Sequence, residues 1–104
     1  KPLHNTIMKI YIAGKIPGDK NYKKKFKKAE RVLKKKGYSV MNPAWLGDYK
    51  DFPWIDYMMV SGAMQRRCEA VYFLPDWSQS KGAIIELKRA IASEQKIFFS
   101  LKDL

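Results

Sequence analysis

Short apolar runs alternating with longer amphipathic stretches restrict this chain more than any other feature. Ile7 to Ile12, Tyr38 to Met41, Ala70 to Leu74 and Lys96 to Ser100 are too short for helices and rich in β-branched or aromatic residues, so they read as strands. Ala13-Gly14, Asn42-Pro43 and Pro75 supply turn residues after the first three. Between the runs, apolar residues recur at helical spacing. Tyr22, Phe26, Ala29, Val32 and Leu33 follow Asn21 as a cap and stop at Gly37; Trp54, Ile55, Met58, Met59, Gly62 and Ala63 form a second set; Ile84, Leu87 and Ile91 form a third behind Ser80. Strands alternating with helices predict an α/β fold with a parallel sheet of about four strands covered on both faces. Such sheets bind ligands beyond the carboxyl ends of the strands, where strand order reverses. The first and third strands are expected to be neighbours there, so the loops starting at Ala13 and Pro75 should line the site.

A chain of 104 residues fits a single domain. Cys68 is its only thiol, which excludes an internal disulfide and points to a reducing, cytoplasmic compartment; with His4 it is also the only His or Cys, too few for a structural zinc site. No metal or other cofactor is expected. Neither is a membrane, since no apolar run approaches the roughly 20 residues a spanning helix needs. The formal net charge is +11, and most of it lies between Lys20 and Lys36, where ten Lys or Arg face one acid, Glu30, for a local charge of +9. That pattern predicts a solvated helix face or a weak steering field for anions. Nucleic-acid binding is expected to be at most non-specific, because no aromatic platform interleaves with these lysines along the sequence.

The residues that could carry chemistry sit in the expected loops. AGKIPGDK after the first strand lacks P-loop spacing, since three residues separate Gly14 from Gly18 and no Gly-Lys-Ser/Thr follows. NTP hydrolysis and nicotinamide-dependent hydride transfer are therefore disfavoured, although Gly14 would let a ligand approach the backbone. After the third strand, Ser80 caps a helix opened by Lys81 and Gly82, and the amides of Ser80 to Ala83 offer an anion site at the positive end of the helix dipole. Glu86 falls on the flank with Ala83 and Ala90, outside the apolar stripe; its ordinary reading is a surface carboxylate paired with Arg89. Trp45, Trp54 and Trp77 flank the expected mouth, with Trp77 the better candidate to stack on a base and Trp54 expected to pack in the core.

MKIYIAGKI (Met8–Ile16), NPA (Asn42–Ala44), WIDYM (Trp54–Met58) and LPDWSQSKGAIIE (Leu74–Glu86) resemble a small phage and bacterial family of the nucleoside 2-deoxyribosyltransferase superfamily. Ser80-x-Gly82-x-x-x-Glu86, the most specific piece, is also similar to the deoxynucleoside 5′-monophosphate N-glycosidases of that superfamily. The resemblance implies a small Rossmann-like three-layer sandwich over residues 8–104, with Lys1 to Ile7 a leader or tail. It implies hydrolysis or transfer at the N-glycosidic bond of a deoxynucleoside or its 5′-monophosphate, with Glu86 the nucleophile, Tyr11 orienting it, and Ser80 and Gly82 holding phosphate. Lys15 and Lys81 favour a charged substrate, and Asp76 would contact base or ribose, unless it is only a turn residue. A homo-oligomer is implied by the resemblance alone. One departure stands out: where many relatives carry the aspartate that handles the leaving base, this chain has Ser61. Asp56, five residues earlier, is a candidate substitute, but a helix places it roughly 140° round from position 61, which disfavours a simple replacement. That departure supports an alternative, a degenerate pocket that sequesters a nucleotide.

Overall fold

The computed structural model describes residues 7–47 and 50–104. His4 and residues 1–6 of the expected leader lie outside them. Four strands, β1 (Lys9–Ala13), β2 (Ser39–Met41), β3 (Ala70–Phe73) and β4 (Lys96–Phe98), form one all-parallel sheet in the order β2-β1-β3-β4. Ile10 sits between Val40 on β2 and Ala70 on β3, and Val71 pairs with Ile97 on β4. Helices α1 (Tyr22–Lys35), α2 (Trp54–Arg66) and α3 (Lys81–Ala92) alternate with the strands. The result is the Rossmann-like α/β architecture, and strand order reverses between β1 and β3 as expected.

The apolar runs follow from burial on both faces. Successive residues of β1 and β3 point to opposite sides, so Ile10, Ile12, Ala70 and Tyr72 pack with Phe26, Ala29 and Leu33 of α1, while Tyr11, Ala13, Val71 and Phe73 pack with Ala83 and Ala90 of α3. In α1 the observed burial of Tyr22, Phe26, Ala29 and Leu33 matches the spacing, and each large side chain contributes roughly 1.5–3 kcal/mol. Gly37, at φ +97°, ends that helical segment in a conformation that L side chains avoid. Asn21 occupies the cap position, but its side chain makes no capping bond; its amide donates to Asp19 Oδ1 at 2.8 Å instead.

The other helices turn different faces inward from those expected. Tyr57, Met58, Ser61, Gly62 and Gln65 are buried in α2, whereas Ile55, Met59 and Ala63 are exposed. In α3 the buried residues are Ala83, Glu86 and Ala90, with Ile84 at the surface and Ile91 62% exposed. Small residues decide this, because they let the helices lie close. A Cβ on Gly62 would come within 2.7 Å of Arg89 Nη1, which donates to the Met58 carbonyl at 3.4 Å. Among the described residues no helix is long and apolar enough to cross a membrane.

Candidate functional site

A cleft of about 470 Å³ opens at the carboxyl ends of β1 and β3. Tyr11, Gly14 and Lys15 reach it from β1 and the turn that follows, Trp54, Met58 and Ser61 from α2, and Ser80 to Ala83 with Glu86 from the start of α3. The sheet places them together, since loops that follow parallel neighbours emerge on one edge.

Glu86 lies at the floor and is 5% exposed. Its Oε2 accepts a hydrogen bond from the Tyr11 hydroxyl. The same period of two that sends Ile10 and Ile12 toward α1 sends Tyr11 toward α3. Burial pushes the Glu86 carboxyl up to about 7, and the Tyr11 bond and the charge of Arg89 offset only part of that. Its main-chain carbonyl accepts from Gln65 Nε2 at 2.8 Å, fixing this turn of α3 against α2. The surface-carboxylate reading is thus corrected: Glu86 shares the inward face with Ala83 and Ala90 because those alanines, rather than Ile84 and Ile91, meet the sheet.

At the rim, Ser80 Oγ caps α3 by accepting from the Ala83 amide at 3.1 Å, and the Ser80 amide is taken by the Trp77 carbonyl. The expected anion site therefore narrows to the first-turn amides of Lys81 and Gly82. Lys81 Nζ sits 5.0 Å from the centroid of Trp54, a cation–π contact within the cleft wall. Gly82 packs tightly, since a Cβ there would meet Met58 Sδ at 3.2 Å. Gly14 has a packing role beside its place in the lining: a Cβ would come within 2.6 Å of Leu74 Cδ1.

Asp76 and Trp77 lie outside the lining. Asp76 Oδ1 accepts from the Lys15 amide at 3.2 Å and Oδ2 is ion-paired with Lys25, which also binds Asp19. Burial alone would lower the Lys25 pKa, yet the two carboxylates raise it, and the Lys25 bond in turn lowers that of Asp19. Asp76 is therefore a brace for the loop that carries Lys15. Trp77 stacks among Phe73 and Phe99, with centroids 5.9 and 5.3 Å away. Trp45 donates its indole N–H to Glu30. Of the three tryptophans, Trp54 reaches the cleft, contrary to its expected core role. Its position is legible from the alternation of elements: the first residue of a helix following a parallel strand lies at the ligand edge.

Asp56 is exposed and borders a separate concavity with Leu46, Phe52 and Val60, so it does not replace an acid at position 61. Ser61 lines the cleft and its hydroxyl donates to the Met58 carbonyl at 3.3 Å. Among the described cleft residues Glu86 is the one carboxylate. Cys68 is buried away from the cleft, and burial pushes its thiol up to about 11. Among the described residues no group of three or more His, Cys, Asp or Glu could hold a metal.

Fold and cleft define a Rossmann-like α/β protein with a buried acid at its topological switch point. Residues 8–99 match the family model described as Domain of unknown function (DUF4406), and the chain belongs to that family. The comparison with curated proteins finds no match.

Proposed function

We propose that the protein cleaves or transfers the N-glycosidic bond of a deoxynucleoside 5′-monophosphate, with Glu86 as nucleophile. The observation that carries this reading is the Tyr11–Glu86 pair buried beneath a rim of Lys15, Lys81 and the Lys81 and Gly82 amides. A phosphate held at the rim would suspend the sugar over the carboxylate. Ionised Glu86 then bonds to C1′ as the C1′–N bond breaks; its electron pair leaves on the base, which takes a proton from solvent. Water, or a second base, next displaces the glycosyl ester and restores the carboxylate. Tyr11 holds Oε2 and so aims the other oxygen, and the Trp54 indole offers the base the stacking face sought at Trp77. The motif resemblance to the nucleoside 2-deoxyribosyltransferase superfamily and its monophosphate N-glycosidases supports the same chemistry, with no cofactor. It also implies a homo-oligomer, and exposed Ile55, Met59 and Val60 on α2 are side chains such a contact would cover.

One observation favours a second reading, retention of a nucleotide without turnover. Ser61 leaves the cleft without a second carboxylate to serve the departing base. Incubating the protein with deoxynucleosides and their monophosphates separates the two. Free base, released faster from monophosphates and with a rate that rises through pH about 7 as Glu86 ionises, supports the enzyme. Intact nucleotide retained on the protein, with no base released, supports sequestration. The absence of both base release and retention defeats both readings.

A further inference from the structure

Sequence order separates the lysines of α1 from every exposed aromatic ring, but the fold does not. Glu30, the one acid between Lys20 and Lys36, turns toward the segment after β2. Its Oε1 accepts from Asn42 Nδ2 at 2.9 Å and from Trp45 Nε1 at 3.2 Å, and Oε2 pairs with Lys34 at 2.7 Å. Burial opposes its ionisation, yet the bonds from Lys34, Asn42 and Trp45 outweigh burial and hold the carboxyl below its ordinary value. Asn42 Oδ1 accepts the Ala44 amide at 2.9 Å, which fixes the short turn carrying Trp45.

This network does two things at once. It withdraws the segment's single negative charge from the outer face, leaving the Glu30 side chain 15% exposed. It also anchors an indole that is 58% exposed beside the helix, held by its N–H edge. At 100° per residue, Lys23, Lys34, Lys27 and Arg31 occupy the arc that continues outward from Glu30. All four are exposed. Cations in a row beside an anchored, exposed ring are the two components of a single-strand binding surface.

We propose that the α1–Trp45 face binds single-stranded nucleic acid without sequence preference, one base stacking on Trp45 while neighbouring phosphates meet Lys23, Lys27, Arg31 and Lys34. Base pairing in a duplex would deny Trp45 its base. A bilayer fits less well, because Tyr22, Phe26, Ala29 and Leu33 are buried and leave α1 only the half-buried Val32, too little apolar surface to insert. The face lies across the sheet from Tyr11 and Glu86, so it stands whether or not the cleft is an enzyme's.

Anisotropy of a labelled 15-mer of oligothymidylate, titrated with the full chain, tests the proposal beside a duplex of equal length and phosphatidylglycerol vesicles. The single strand should bind tightest, with log K falling against log salt at a slope of about −2 to −3, as three or four neutralised phosphates require. Trp45→Ala should weaken it by about 5- to 150-fold, the range of one stacked base, while Trp45→Phe retains most of the affinity. Lys27→Gln with Arg31→Gln should make the slope shallower by about 1.4. The proposal is overturned if nothing binds at low salt, if duplex or vesicles bind tighter than the single strand, or if Trp45→Ala, with an unchanged circular dichroism spectrum, binds like the parent.

Discussion

The two faces of the sheet are built on different terms. On the α1 face, Tyr22, Phe26, Ala29 and Leu33 point inward and lysines point outward, so local pattern and tertiary burial agree. On the α2–α3 face they disagree: Glu86, Ser61, Gln65 and Ser80 are buried while Ile55, Met59 and Ile91 face out. Burying a carboxyl and leaving isoleucines wet both work against stability. A chain tolerates such conflicts where a site needs them, and the cleft lies on that face.

The contrast can be broken most forcefully at Glu86 itself. If the protein is an enzyme, Glu86→Gln keeps size and hydrogen bonding but removes the charge that meets C1′, so base release should fall on the order of a thousandfold or more while nucleotide binding persists. An unchanged rate in single-turnover assays would remove Glu86 from the mechanism. On the other face, Phe26→Ala should destabilise by about 3–5 kcal/mol in urea melts, since the fully buried ring leaves a cavity between α1 and the sheet. A smaller loss would mean α1 collapses to refill it.

The next effect is electrostatic. Glu86 sits at about 7 in the fold against an ordinary 4.5, so between those values the folded state holds more protons than the unfolded one. Protonated Glu86 therefore favours the fold below about pH 4.5, and that advantage is lost as pH rises through 7, a change on the order of 3 kcal/mol. Glu86→Gln should be the more stable protein at pH 8 and converge with the parent near pH 4.5. Parallel urea midpoints across the range would instead show a carboxyl in contact with water.

Ser80→Ala removes the bond to the Ala83 amide and should cost about 1 kcal/mol of stability. It should weaken monophosphates more than unphosphorylated nucleosides in calorimetric titrations, if the start of α3 holds phosphate. Smallest is Ile91→Ala, expected to shift stability by less than about 0.5 kcal/mol because the side chain is already 62% exposed. A larger loss on dilution-sensitive melting would reveal a partner copy covering that face.

Much of this was legible from residue order. The apolar runs and turn residues specify four strands, and their alternation with helices specifies a parallel sheet reversing at β1 and β3, because period and length are local properties. Ser80 as a cap and the pairing of Tyr11 with Glu86 were also within reach, the latter through motif resemblance and through loops meeting at one edge. Where Trp77 and Asp76 would go was not. Trp77 follows Asp76 in a polar loop, yet Phe73 and Phe99 draw it into a cluster, and Asp76 is claimed by Lys15 and Lys25.

The sequence by itself therefore determined the elements, the α1 core face and the edge on which the cleft opens, all of which follow from spacing along the chain. Tertiary structure alone decided which faces α2 and α3 turn inward and that Trp45 and Glu30 meet beside the lysines. Those outcomes depend on how closely helices approach through Gly62, Ala83 and Ala90 and on hydrogen bonds between distant residues. Neither distance nor partner is encoded in the period of a single segment.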